Sequence, residues 1–244
     1  MKIVATIEAR MGSSRLPGKS LTPILGRPML ELLIERLRRS RRVQQVVVAT
    51  TTAPEDAVIQ GLAQKLEVGC FRGSSDDVLD RVLQAATRHK ADLIVEITGD
   101  CPLIDPQIVD QVVETFLRGE YDYVSNTLQR TYPRGLDTQV FPTRVLAEVA
   151  ALTQDPADRE HVSLYIYEHP ERYRLGNVAA PAELHNPDMR WTVDTPEDLA
   201  LITSIYERLY RKNPGFASTD VMNLLNTDRN LASTNAHVRQ KPVR

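Results

Sequence analysis

The stretch Glu8-Ala-Arg-Met-Gly-Ser-Ser-Arg-Leu-Pro-Gly-Lys19 decides how the rest of the chain is read. It follows a short apolar run, residues 3–7, that reads as a buried strand. It precedes residues 28–37, where Met29, Leu30, Leu33, Ile34 and Leu37 share one helical face. A loop that leaves the first strand of an α/β unit lies where such folds place ligands. Arg10, Arg15 and Lys19 bring three cations to it, with Gly12, Ser13, Ser14 and Gly18 between them. Small residues let the backbone approach a ligand and aim N–H groups at it. Cations added to such a cradle suit a polyphosphate, Arg as a fork and Lys as a point charge. The loop is not G-x-G-x-x-G, and Ser13 stands where a Walker loop needs Gly, so hydride transfer and P-loop chemistry lose their motif.

Outward from the loop, strand and helix patterns alternate. Strands are expected at residues 46–50, 68–71, 93–97 and 122–125, with helices from Pro54, over 76–89 and from Pro106 to Phe116. Helical crossovers of this length imply right-handed connections and a largely parallel sheet. After Asn126 the rhythm breaks. Residues 127–135 read as a loop, 136–141 as a strand, 143–153 and 159–167 as helices, and 172–177 as a strand. A last long helix is expected over 196–210 and a short amphipathic one over 219–225. From Thr227 the chain turns polar, and 235–244 reads as a mobile or partner-draped tail. The division expected is one domain over 1–226, with an acceptor-binding insertion at about 126–190 and a tail over 227–244.

Composition narrows the class. The 244 residues are 42% hydrophobic and 25% charged, ordinary for a globular chain with its own core. A net charge of −2 gives no general pull toward nucleic acid or membrane, so any anion site must be built locally. Cys70 and Cys101 fit no metal spacing or disulfide framework and read as small buried residues in a reducing compartment. No signal peptide and no apolar run of bilayer length is visible, which reads as a cytoplasmic protein.

The segment from Arg10 to Lys19 resembles the opening of the sugar-acid cytidylyltransferases, which make CMP-3-deoxy-manno-octulosonate and CMP-sialic acids. The resemblance is strongest to the subfamily named for spore-coat polysaccharide biosynthesis, and it covers about residues 1–205. It implies an α/β, Rossmann-like nucleotidyltransferase fold, a mostly parallel central sheet with helices on both faces. The loop would hold the triphosphate of CTP, through Ala9, Arg10, Gly12, Ser13, Arg15 and Lys19, with Arg10, Arg15 and Lys19 also catalytic. Related enzymes are dimers, which implies a homodimer.

Gly99-Asp100-Cys-Pro-Leu103 follows the strand at 93–97, and a carboxylate at a strand's end is well placed to hold a cation beside a phosphate. The resemblance makes Asp100 a Mg2+ ligand. Trp191-Thr-Val-Asp194-Thr-Pro-Glu-Asp198 resembles a second signature in which Asp194 is the other ligand. Asp194 also reads as a helix N-cap with Glu197 in the capping-box position. In 71–81, Ser74, Ser75 and Asp76 are N-cap types, and the resemblance sets Arg72 and Arg81 beside the nucleotide. The segment departs from the octulosonate enzymes, which moves the acceptor away from octulosonate itself. Arg134, Asp137, Gln139, Arg159 and His161 fall in the irregular half, where an acceptor pocket is expected. Arg134 and Arg159 would pair with an acid group on the acceptor.

Together these give CMP transfer from CTP to an acidic acceptor such as a keto-sugar acid, with Mg2+ and loss of pyrophosphate, for surface polysaccharide or glycan biosynthesis. A glycosyltransferase of related layout would hold its metal with a D-x-D pair, which Asp100-Cys-Pro is not. A non-catalytic nucleotide-binding protein would have lost the cations or carboxylates, and all five are present.

Overall fold

A computed structural model describes residues 1–241. The strands are β1 (Ile3–Glu8), β2 (Pro23–Ile24), β3 (Arg27–Pro28), β4 (Gln45–Thr51), β5 (Gly69–Gly73), β6 (Leu93–Thr98), β7 (Tyr123–Ser125), β8 (Gln139–Pro142) and β9 (Leu175–Asn177). The α-helices are α1 (Met29–Leu37), α2 (Ala57–Lys65), α3 (Val78–Arg88), α4 (Pro106–Arg118), α5 (Thr143–Leu152), α6 (Pro156–Glu160), α7 (Leu164–Glu168), α8 (Pro196–Leu209), α9 (Ser218–Thr227) and α10 (Arg229–Ala232). Seven strands form one sheet in the order β5-β4-β1-β6-β8-β7-β9. All its pairings are parallel except those of β8, which runs antiparallel to β6 and β7.

Strand alternation sorts the core into two layers. Ile3, Ala5 and Ile7 of β1, with Leu93, Val95 and Ile97 of β6, pack with α1, α2, α4, α8 and α9. Val4 and Ile94 face the other way and pack with α3, α5 and α7. Helices therefore cover both faces, as expected. The chain leaves β1 for β4 and β5 on one side, then crosses to β6 on the other. That reversal opens a crevice at the carboxyl ends of β1 and β6.

Local chemistry accounts for the helix starts. Asp105 caps α4 ahead of Pro106 by accepting from Gln107 N, and Asp155 caps α6 ahead of Pro156. Asp77, rather than Ser74, Ser75 or Asp76, caps α3, its Oδ1 accepting from Asp80 N. The single helix expected over 159–167 is two, α6 and α7, broken where Val162 takes a φ of 31°. The strand expected from Leu136 starts only at Gln139. Before it, the Asn126 side chain bonds Leu136 O and Thr138 N and takes the place of a ladder partner. The small β2–β3 hairpin carries no apolar alternation long enough to read from sequence.

The reading of 235–244 as a mobile or partner-draped tail is corrected for the described part. Asn235 is buried, and its Nδ2 donates to Arg190 O and Asp198 Oδ1. Polar composition hid this because the tail is anchored by hydrogen bonds rather than by an apolar stripe. Residues 242–244 lie outside the described residues. Among the described residues no helix is long and apolar enough to cross a membrane.

Candidate active site

The crevice is a cleft of about 410 Å3. The loop after β1 forms one wall. Met11 O accepts from Ser13 N and Gly18 N, and Met11 N donates to Asp56 Oδ1, so the loop folds on itself and is pinned to the turn before α2. Gly18 takes a φ of 74°, a left-handed conformation that turns the chain so that Lys19 enters the cleft. The N–H groups of Ala9 and Ser13 are committed to Ala49 O and Met11 O. Those of Gly12, Ser14 and Arg15 are in no hydrogen bond among the described residues. Gly12 is exposed, and Arg10 reaches across the cleft to Ser75 O at 3.4 Å.

Lys19 is the centre of the site. Its Nζ donates to Asp100 Oδ2, Asp194 Oδ1 and Val193 O, each at 2.9 Å. Both carboxylates touch one nitrogen, so their bound oxygens stand no further apart than twice that distance. Arg15 adds an ion pair to Asp194 Oδ2 at 3.0 Å, and Arg190 another at 2.9 Å. Burial by itself would lower the Lys19 pKa, but Asp100 and Asp194 outweigh it and the value rises. Burial would likewise raise Asp194, yet Lys19, Arg190 and Arg15 hold it below the ordinary carboxylate range. The cluster is thus a charged one, three cations on two carboxylates.

Two remote motifs meet here through backbone contacts. Val193 N donates to Asp100 O at 2.8 Å, and Thr192 Oγ1 to the same oxygen at 3.2 Å. Gly99 lies so close to β1 that a Cβ would stand 2.5 Å from Glu8 O, so any larger residue would push Asp100 away. Asp194 is not the cap of the last long helix, and Glu197 is not its box partner. Thr195 caps α8, with Asp198 completing the capping box. The shift by one residue frees the Asp194 carboxylate to face Lys19. Asp198, fully buried, accepts from Asp194 N, Thr195 N, Arg190 and Asn235, and so holds that turn in place.

The remaining sequence-chosen residues divide. Arg81, Gln139 and His161 line the cleft with Ala9, Arg10, Ser13 and Arg15. Arg72 does not line it. Its guanidinium donates to Thr51 O and Ala53 O and braces the end of β4. Arg159 turns to Asp77, its Nε 2.9 Å from Oδ2, and joins α6 to α3. Asp137 is held by both Nη groups of Arg130 at 2.7 and 2.8 Å. Arg134 lies beside that pair, its backbone bridged to Arg190, and lines none of the cleft.

Sequence reading missed Glu8 and Glu96, both of which line the cleft. Burial pushes Glu8 well above the ordinary value, Glu96 adds to this, and Arg81 opposes it. Burial raises Glu96 to about 8, offset only in part by the Ser163 hydroxyl. A charged residue inside the apolar run of β6 was the signal that could have pointed to Glu96.

The family described as Cytidylyltransferase matches residues 4–221. The chain belongs to the cytidylyltransferase family. It is 32% identical over 238 residues to the spore coat polysaccharide biosynthesis protein SpsF of Bacillus subtilis, covering 95% of this chain and 97% of that one. It is 35% identical over 210 residues to a 3-deoxy-manno-octulosonate cytidylyltransferase of Geobacter metallireducens, covering 75% and 82%. A solved cytidylyltransferase of Leptospira borgpetersenii superposes with a TM-score of 0.90 at 32% identity, over 99% of this chain and all of that one. The cytidylyltransferase is thus a nucleotidyltransferase of α/β fold. Its loop after β1 and its carboxylates Asp100 and Asp194 meet within the matched region.

Proposed function

We propose that the enzyme transfers CMP from CTP to an oxygen of a small sugar-like acceptor, with pyrophosphate leaving, for glycan biosynthesis in the cytoplasm. The observation that carries this reading is the convergence of Lys19, Arg15, Asp100 and Asp194 beside the end of β6. The open N–H groups of Gly12, Ser14 and Arg15 lie in the adjoining loop and suit the phosphates. Arg10, Arg15 and Lys19 would offset charge growing on the departing pyrophosphate, and Arg81 would support the nucleotide. The two free cysteines fit a reducing compartment.

The donor set fits a divalent cation. Two carboxylate oxygens and a carbonyl already surround one positive centre, the Lys19 ammonium, and Mg2+ is commonly held by one or two carboxylates with phosphate oxygens completing its shell. Asp100 and Asp194 would hold it, and bound there it would supply Lewis-acid charge at the α-phosphate. Arg15 and Arg190 keep Asp194 ionised and oriented for that task. Lys19 would then turn its donors from the carboxylates to the phosphates. Gln139 and His161, on the far side of the cleft, would meet the acceptor.

The test is a screen of pyrophosphate release with CTP, UTP, ATP and GTP, Mg2+ and a panel of sugar-acid and sugar-phosphate acceptors, beside thermal shifts with each nucleotide. The reading expects release with CTP and the largest shift from CTP. Equal shifts from all four nucleotides, with no release, would reduce the site to a generic triphosphate cradle.

A further inference from the structure

Glu8 and Glu96 have no task in handling a triphosphate, since carboxylates aimed at phosphates would repel them. Yet they are built into the cleft floor. β1 and β6 are neighbours in register, Glu8 opposite Thr98 and Thr6 opposite Glu96. By strand alternation both glutamates lie on the face of Val4 and Ile94, just past the cover of α3 and α5. Glu96 is 4% exposed, and its Oε2 has no hydrogen-bond partner. Glu8 Oε1 is buried and equally unpartnered. Neither glutamate forms an ion pair among the described residues. Arg81, the cation that acts on Glu8, gives its Nη1 to Ser74 O, and its buried Nε has no partner. A buried carboxylate oxygen left without a donor is costly, so these two open oxygens call for donors from a ligand.

The surroundings say which ligand supplies them. Gln139 sits beside Glu96 on β8, and the hydroxyls of Tyr123 and Ser163 both donate to its Oε1. Glu160 and His161 close the far wall. Arg134 and Arg159, the residues that would have received an acid group, are outside the cleft. This end of the cleft is therefore rich in acceptors, with Glu8, Glu96 and Glu160 set against Arg81. The base of CTP offers only a neutral amine, which would not balance two carboxylates.

We propose that this end is the acceptor subsite and that it takes an ammonium group, so that the acceptor is an amino-bearing sugar or a similar aminated small molecule with its amine held between Glu8 and Glu96. Three N–H donors on one ammonium can reach both open oxygens, and its charge together with that of Arg81 offsets the two carboxylates. In the empty cleft the two carboxyls keep a proton, which burial favours. The arriving cation replaces it. The assignment rests on the CMP-transfer reading above and narrows it from any small sugar-like acceptor to a cationic or zwitterionic one.

The experiment uses the full chain with CTP, Mg2+ and matched acceptors that differ only in an amine or a hydroxyl at one carbon. The pairs are amino-deoxy and hydroxy forms of an octulosonic acid, a nonulosonic acid and a hexose 1-phosphate. Pyrophosphate release should favour the amino member of a pair by about 10–100-fold in kcat/KM, the worth of charge-assisted hydrogen bonds. In Glu96→Gln that preference should fall toward parity, with thermal melting reporting that the variant is folded. Equal or better use of the hydroxyl members overturns the proposal. So does use of no amino acceptor while CTP and Mg2+ bind. If folded Glu96→Gln loses CTP binding itself, the pair reads the base and the proposal falls. Failure of the unaltered protein to bind CTP would instead fell the CMP-transfer reading.

Discussion

Lys19 and Asp194 are separated by 175 positions in the chain and by 2.9 Å in space. Asp100, on the strand end between them, lies 2.9 Å from the same ammonium. The Lys19 side chain is only 15% exposed, so these pairs are weakly screened and the lysine belongs to the architecture as well as to the chemistry.

Lys19→Ala is expected to lower turnover by about 10²–10³, the usual cost of removing a charge that acts on the transition state. It also leaves Asp100 and Asp194 facing each other without their shared cation. Melting temperature should therefore fall too, which steady-state pyrophosphate release and a thermal melt together would reveal. A variant with unchanged release would remove Lys19 from the mechanism.

Asp100→Asn and Asp194→Asn should each abolish Mg2+-dependent turnover. Their effect on metal-free CTP binding should be small or favourable, since Lys19 and Arg15 are released from a carboxylate. Calorimetric titration of CTP with and without Mg2+ separates the two effects. Tight Mg2+-CTP binding and full turnover in either variant would return that aspartate to a structural role.

Glu96 sets a pH dependence of stability. Its folded value near 8 lies above the ordinary 4.5, so between those values the folded chain binds more protons than the unfolded one. Stability should fall as pH rises through that window and level off outside it. Glu8 faces it from β1, Tyr123 from β7 and Ser163 from the start of α7, and the raised Glu8 acts in the same direction. Glu96→Gln should flatten the profile and raise the melting temperature most at alkaline pH. Thermal melts from pH 5 to pH 9 decide this, and an unchanged slope would count against it.

The tail is predicted to hold the active-site turn. Asn235→Ala removes two buried hydrogen bonds, to Arg190 O and Asp198 Oδ1, at a cost of about 1–3 kcal/mol. Denaturant unfolding measures it. Asp198→Ala should cost more, about 3–5 kcal/mol, because Arg190 is then left buried beside a single carboxylate.

Much of the architecture was legible because it is written in local chemistry. Short strands buried along nearly their whole length and helices begun by Asp-Pro or Pro-Glu carry their own signals, and β1, β4 and β6 fall within a residue or two of expectation. Other errors came from neighbours that compete for one role. Asp194 and Thr195 are both cap residues, and only the positions of Lys19 and Arg190 decide that the first points outward.

By itself, the sequence determined the loop of cations after the first strand, the alternating α/β layout and two aspartates, Asp100 after a strand end and Asp194 ahead of the last long helix. Those depend on residues adjacent in the chain. The tertiary structure alone decided that Lys19 gathers Asp100 and Asp194, that Arg72 and Arg159 serve the scaffold, and that Glu8 and Glu96 share the cleft floor. A charged side chain takes its meaning from its partner, and here the partners come from segments that meet only when the parallel strands pair in register.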